Sequence, residues 1–393
     1  MYKSLPVVKR ALDCICDTIP DDAVGIHGKL YDVTGFDHPG GATFVHMALG
    51  TDATALFETH HLNSKLATAE LDKLRTVGAY TTAVAYDYTA YRCIRDIAYS
   101  IFPTQVSRRM RMESKRRLYA IVALTLGLHA LSLSTAVGTA RWGILCACAA
   151  CMNTICGGYG HNALHRLEPA AILLDWNGLS CYEWLFEHLQ SHHMYVNTEY
   201  DHDSIAMEPF VRWIPSRRRA CFGPSAPYVK HVIYLIAEIA VAVQGNLVHR
   251  ARWMALHDPR LPMWMRLAPF LFVVRVGSYV LIQGVMGFAT ALFTLSLAGY
   301  AFAYLAHLNH AFDGDGRPDF LLHQLRNTKD IRAKNVAGSI LLFLDRQTLH
   351  HLFPTVDHTR LTTDVRDLLR VGRYMEPRAI SELHAQVNRS IHQ

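Results

Sequence analysis

Apolar positions are spread unevenly along this chain. Residues 1–118 mix charged, polar and apolar positions at short range, whereas long apolar runs fill much of the remaining sequence. A helix crossing about 30 Å of hydrocarbon needs roughly 20 apolar residues at a 1.5 Å rise. Tyr119–Val137 approaches that length with one histidine and no formal charge, and Trp142–Tyr159 comes after a break containing Arg141. Later runs cover Val232–Val248, Leu267–Ile282 and Val285–Ala306. Residues 22–80 have the texture of a compact soluble domain. There GKLYDVTGFDHPGG predicts a short strand entering a glycine-rich turn, and DATALFETHHLNSKLATAELDKL is helix-prone with a break near His60 and His61. The chain therefore divides into an N-terminal segment 1–21, a soluble domain 22–80, a basic linker and pre-membrane segment 81–118, a membrane body 119–374 and a tail 375–393.

The formal net charge of +6 comes partly from Arg108, Arg109, Arg111, Lys115, Arg116 and Arg117, and from Arg217–Arg219. The first cluster precedes the first apolar run and places it on the cytosolic side by the positive-inside rule. Beside membrane spans such groups read as headgroup contacts, and no nucleic acid partner is expected. No secretory signal opens the sequence: Lys3 and Pro6 interrupt it and no clean apolar core is present, so the soluble part is expected in the cytosol. Cys146, Cys148, Cys151 and Cys156 lie in the second apolar run, where sulfur side chains pack as modest hydrophobes. Paired CxxC motifs are lacking, and no structural disulfides are expected.

The histidines carry the chemistry. His161 and His165 in HNALH share a helical face at i,i+4 spacing. In EHLQSHH, His188 and His192 form such a pair, with His193 about 100° away and able to reach a second metal or another side of the same one. Gln347, His350 and His351 come much later, and His307 and His310 lie just after the last apolar run. Burying so many imidazoles without partners is costly, and neutral imidazole is a good ligand for iron. His202, between Asp201 and Asp203, reads as solvated or supporting. Near the N-terminus, His38 and one of His60 and His61 are candidates for opposite faces of a haem. Both axial positions would then be filled, which suits an electron carrier.

Topology tests the metal reading. A common site needs all the histidine pairs on one side of the bilayer. Two spans precede His161, so an even number must separate His193 from His350, yet three apolar runs lie between them. Val232–Val248 is the one expected to lie at the interface or against the body. Lys230 and Arg250 border it, and Glu238 interrupts it at a mid-membrane cost of roughly 2.5 kcal/mol or more. The other two runs form a hairpin near Gln283-Gly284, giving four spans.

Tyr31-Asp32-Val33-Thr34, His38-Pro39-Gly40-Gly41 and Asp52-Ala53-Thr54 through Phe57 resemble the cytochrome b5 family. The resemblance implies haem b held by His38 and His61, with His60 as the rival second ligand. His161–His165, His188–His193 and Gln347 followed by His350-His351-Leu352-Phe353-Pro354 resemble the membrane fatty-acid desaturase superfamily, especially front-end desaturases fused to cytochrome b5. The implied fold is a small α+β cytochrome b5-like domain followed by an all-α multipass membrane body, with about four transmembrane helices and a cytosolic cap. The implied ligands of two non-haem iron ions are His161, His165, His188, His192, His193, His310, His350 and His351. His307 competes with His310, Asn309 is a candidate holder of water, and Gln347 replaces a histidine used by other desaturases. Asn162 departs from the aspartate common in front-end first boxes: it can orient a histidine as an acceptor but brings no negative charge.

The implied reaction inserts a cis double bond into a long-chain polyunsaturated acyl group, between an existing double bond and the carboxyl end. It uses O2 and two electrons, and Δ5 or Δ4 placement is favoured over Δ6. The acyl group is carried by coenzyme A or phospholipid. Because no convincing GxGxxG motif is present, a flavin-containing NAD(P)H-dependent cytochrome b5 reductase is the expected electron source. The expected location is the endoplasmic reticulum membrane, with haem domain and iron site facing the cytosol. Sphingolipid long-chain-base desaturation, acyl hydroxylation and a non-catalytic electron-transfer or partner-binding role are the rival readings.

Overall fold

The computed structural model describes residues 19–82, 84–102, 108–205, 227–243, 251–310, 318–331 and 346–361. The N-terminal segment up to residue 18, Arg217–Arg219, residues 244–248 of the demoted apolar run, Ala311–Gly314 and the tail 375–393 lie outside the described residues.

A two-residue hairpin starts the N-terminal domain. His27 and Gly28 turn the chain at φ of 49° and 75°, as the tightest hairpin turns require. Strand β1 (Ala23–Ile26) thereby pairs antiparallel with β2 (Lys29–Asp32), with Val24 opposite Tyr31. Strand β3 (Arg75–Ala79) adds to the far edge of β2 with a register shift between Leu30 and Tyr31. Helices α1 (Ala42–Ala48), α2 (Thr54–His60) and α3 (Ser64–Leu71) fill the connection between β2 and β3. The break between α2 and α3 lies at residues 61–63, where the Asn63 side chain caps α3 by accepting from Leu66 N. It frees His61 from helical geometry.

The body rests on two helical hairpins. Helix α4 (Thr89–Ile101) leads toward α5 (Arg108–Leu133), which begins well before the apolar run and ends short of it. The Thr135 hydroxyl bonds back to Leu131 O at 2.7 Å, and Gly138 takes a φ of 84°. Thr139 then caps α6 (Ala140–Leu164) through Trp142 N. Further on, α7 (Pro227–Val243) precedes α8 (Pro269–His310), whose 42 residues would be about 60 Å long if straight. It is not straight, because Gly284 at φ 61° folds it back. The arms approach so closely that a Cβ on Gly287 would collide with the Tyr279 carbonyl. Gln283 at this bend donates to Ser132 O and Leu133 O at 3.2 and 2.8 Å, tying the two hairpin tips together. His161 and His310, at the other ends, emerge on the same side.

Ala140–Leu164 and Met263–His310 are each long and apolar enough to cross a membrane. Leu281, Val285 and Phe288 on the second hairpin are exposed, as are Leu124 and Ile144 on the first. Helix α7 explains the charge in its apolar run. Glu238 is buried against the body while Val232 and Ile236 face outward. Gly299 makes room for it, since a Cβ there would lie 2.5 Å from that of Glu238.

The two domains share one continuous core, in which Met47 and Leu56 join Tyr88, Tyr91, Phe320 and Phe353. Polar contacts fix the docking. Gln190 donates to Met47 O at 2.5 Å, Tyr91 to Leu352 O at 2.8 Å, and His46 lies 3.5 Å from Asp258. Glu58 on α2 is 2% exposed and is gripped by Arg92 at 2.5 Å and by Arg95, both on α4. Burial pushes its carboxyl up, but hydrogen bonds from His27 and Arg92 and the charges of both arginines outweigh that and hold it at about 2.

Because the folded carboxyl titrates below its ordinary value of 4.5, its stabilisation is complete above that pH and is lost as pH falls toward about 2. Glu58→Gln leaves Arg95 buried without its carboxylate, at a cost of about 3–5 kcal/mol. A thermal melt followed by haem absorbance is expected to show a lowered midpoint at neutral pH and a flatter acid dependence. An unchanged midpoint would remove this contact from the docking.

Candidate metal centre

Five imidazoles converge at the open end of the hairpins: His161, His165, His188, His193 and His350. His161 Nε2 lies 2.8 Å from His188 Nε2, 3.1 Å from His350 Nε2 and 3.3 Å from His165 Nε2. His192, His310 and His351 form a second group, and His188, His192 and Asp203 a third that joins the two. His161 lies in the last turn of α6 and His165 is its C-cap residue, still in helical geometry, so the two sit one turn apart as their spacing predicts. The second box differs from expectation. Leu185–His192 winds as a π-helix, and His193 N bonds to His188 O. This i→i+5 winding puts His193 beside His188 in the first group, whereas His192 stacks on His188 and reaches the second. The third box rides on the short helix Gln347–Leu352, which turns His350 to the first group and His351 to the second.

The outward nitrogens fix what the inward ones present. His188 Nδ1 donates to Asp203 at 2.6 Å, and His192 Nδ1 to Asp201 at 3.0 Å. His351 Nδ1 donates to Gln324 Oε1 at 3.1 Å, and His310 Nδ1 to Asn327 O at 3.2 Å. His350 Nδ1 pairs with His358 Nε2 at 2.8 Å. Burial, then the neighbouring imidazoles, pushes His193, His350 and His351 well below the ordinary histidine value; at His188 burial leads and His192 adds to it. His192 goes the other way, because Asp201 outweighs its burial. A neutral imidazole whose one proton points outward must turn a lone pair inward. His351 Nε2 is buried without a hydrogen-bond partner. Converging lone pairs fit a cation, and an all-imidazole set with carboxylates behind it fits iron.

Asn162 also finds its place. Its Oδ1 accepts from Arg166 Nη1 at 2.9 Å, while Glu168 and Asp357 supply the carboxylates around that guanidinium at 2.9 and 3.1 Å. His202 and His307 stand outside the three groups, and Asn309 Nδ2 donates to Lys329 O. Gln347 Nε2 lies 3.1 Å from His310 Nε2. The supporting roles of His358 and Gln324 had no signal in the sequence, since neither belongs to a histidine box. Asp201 and Asp203 did stand out, as neighbours of His202.

Below the cluster lies a pocket of about 210 Å³, walled by apolar groups such as Leu179, Val241 and Phe302 and headed by His161, His188 and His310. A second cavity of about 470 Å³ opens in the N-terminal domain between Val24, Tyr31, Val45 and Leu71. Here His38 and His61 face each other with Nε2 atoms 3.5 Å apart, and His61 Nδ1 donates to Phe57 O. Opposed imidazoles in an apolar slot fit a haem held on both faces. His60 also borders this cavity but is not opposed to His38: its Nδ1 lies on Thr59 Oγ1 and its ring 6.2 Å from that of His165.

Comparison with known proteins finds two family matches along the chain. Residues 21–95 match the family described as cytochrome b5-like heme/steroid binding domain, and residues 138–375 match the fatty acid desaturase family. A cytochrome b5-related protein of Drosophila melanogaster is 23% identical over 361 residues, covering 85% of this chain and 78% of its own. The acyl-lipid (8-3)-desaturase of Mortierella alpina is 24% identical over 387 residues, covering 86% and 85% respectively. The chloroplastic acyl-lipid (7-3)-desaturase of Chlamydomonas reinhardtii is 27% identical over 201 residues, which is 47% of this chain and 39% of the relative.

Asp201 holds both His192 and, at 2.7 Å, the Asn197 backbone N–H. Asp201→Asn should therefore weaken iron binding about 10- to 100-fold without removing a ligand. Iron content measured against a graded chelator checks this, and a wild-type retention curve would contradict it.

Proposed function

This chain belongs to the fatty acid desaturase family, with a cytochrome b5-like domain fused before it, and we propose that it is a front-end desaturase of long-chain polyunsaturated acyl groups. The observation that carries this reading is the placement of the imidazole groups at the head of an apolar pocket. An unactivated methylene C–H bond is beyond side-chain acid–base chemistry. Bound iron would supply the activation of O2 that such a bond requires.

The chain's own residues do the rest. His161, His165, His188, His193 and His350 would hold one iron, and His192, His310 and His351 the other; His188, His192 and Asp203 lie where the two groups meet. Asp201, Asp203, Gln324 and the Asn327 carbonyl keep the histidine protons on Nδ1. Trp184, stacked on His188 at 4.8 Å between centroids, walls the pocket beside the ligands. The apolar lining excludes water and aligns two adjacent methylenes, and positioning of this kind carries the selectivity. His38 and His61 would hold haem b. In the net reaction, O2, two electrons and two protons convert CH2–CH2 to cis CH=CH and two waters.

A flavin-containing NAD(P)H-dependent cytochrome b5 reductase would feed the haem domain. The substrate would be an acyl-CoA or a phospholipid, with the new bond at Δ5 or Δ4. Four crossings, two per hairpin, would leave haem domain and histidines on the cytosolic face of the endoplasmic reticulum.

Expression with a reductase and defined polyunsaturated substrates, followed by double-bond localisation, tests the reading. The expected product carries one new cis bond on the carboxyl side of an existing one. A fully metallated protein that forms none, or that gives a hydroxylated chain or a desaturated long-chain base, would overturn it. His351→Ala should abolish product while haem absorbance persists. His38→Ala should erase the bis-histidine spectrum, and its retention would reject His38 as ligand.

A further inference from the structure

We propose that electrons leave the haem domain through His60 and enter the metal centre at its first histidine pair, through His165. This rests on the assignments of haem to His38 and His61 and of iron to the histidine cluster.

The two sites are already in contact. The cavity that holds His38 and His61 is also lined by His60, and beyond it by His165, Arg166 and Thr355 of the body. The wall of the haem slot is thus built partly from the first histidine box. Across that wall the His60 and His165 rings lie 6.2 Å apart at a 36° tilt. On its other side His60 meets Phe44, another lining residue of the slot, at 5.6 Å. A path of about seven covalent bonds, from the His61 ring along the backbone to the ring of the adjoining His60, and one ring contact at 6.2 Å therefore leads to a nitrogen donor of the five-imidazole group.

Packing alone does not account for His60. Its Nε2 is buried with no hydrogen-bond partner, and burying an unpaired polar atom costs free energy that an apolar ring of similar size would avoid. Its position is also held from both sides. Gln190, which lies between His188 and His192 in the sequence, donates to Met47 O at 2.5 Å, and Glu58, two residues before His60, is anchored by Arg92 and Arg95. The haem domain needs no swing to deliver an electron.

Each turnover takes two one-electron transfers. In each, one electron would pass by way of His60 and His165 from a haem held by His38 and His61, which would be oxidised, to an iron held by the histidine cluster, which would be reduced, and the flavoprotein reductase would re-reduce the haem. No proton moves along the path. His60 acts through His165 and is a positioning residue.

The test uses full-length protein loaded with haem and iron, without oxygen. Haem is reduced by a flash-generated flavin radical, and its reoxidation by the metal centre is followed at the haem absorbance. His60→Leu should slow reoxidation severalfold, and His60→Phe, which keeps a ring, should fall between Leu and wild type. The haem spectrum, midpoint potential and iron content should stay as in the wild type. A wild-type rate in His60→Leu overturns the proposal, and so does loss of the bis-histidine spectrum, which would make His60 a haem ligand. If His60→Leu does not fold, magnetic relaxation between ferric haem and the metal centre in frozen unaltered protein decides. One short separation supports the contact, and a long or broad one overturns it. Reoxidation that depends on His60 without double-bond formation would sink the desaturase reading alone, whereas double-bond formation with reoxidation indifferent to His60 would sink only this route.

Discussion

A buried neutral imidazole has one proton to place, and at four of the clustered histidines that proton points away from the centre. At His188, His192, His310 and His351 an acceptor on the outer side claims Nδ1–H. The inner nitrogens are left as lone pairs, and His188 Nε2 sits only 2.8 and 3.1 Å from its counterparts on His161 and His193. Away from water, nitrogens this close need a proton or a cation between them, and a cation serves all of them at once. The need to bring these nitrogens to one place explains much of the architecture. Two hairpins tied at their tips by Gln283 deliver His161, His165 and His310 to a common end. The π-wound segment and the short helix after residue 346 bring the remaining histidines over that end.

The same packing decides how the haem domain sits. A core that runs without interruption from Met47 to Phe353, crossed by the buried Glu58–Arg95 pair, fixes the domain in one orientation, so fusion here does more than raise local concentration. Helix α7 shows a comparable economy. Turning Glu238 inward over Gly299 lets an apolar face with Val232 and Ile236 point outward while the carboxylate stays within protein.

Much of this was legible in the residues because it depends on short-range rules. Apolar run lengths located the hairpins, Gln283-Gly284 announced the bend, and the charge at Glu238 singled out the helix that packs on the body. The i,i+4 spacing of His161 and His165 was enough to orient them. In the second box His188 and His192 share a face as their spacing indicates, but the i→i+5 winding of Leu185–His192, which a 3.6-residue period does not register, also brings His193 beside His188. His358 and Gln324 reach their histidines only after the chain folds, with Gln324 and His351 coming from separate short helices. Glu58 within ETHH reads as one face of a helix; only its encounter with Arg92 and Arg95 identifies a docking residue. The early start of α5 arises from basic residues continuing a helix beyond its apolar part, which hydrophobicity does not register.

The central claim is that these histidines are shaped around metal, and locating the iron tests it most directly. Anomalous scattering at the iron edge from crystals of the iron- and haem-loaded protein should place two iron atoms within the histidine cluster. One belongs among His161, His165, His188, His193 and His350, and the other among His192, His310 and His351. A cluster without iron in fully active protein, or iron bound by other side chains, would contradict the account.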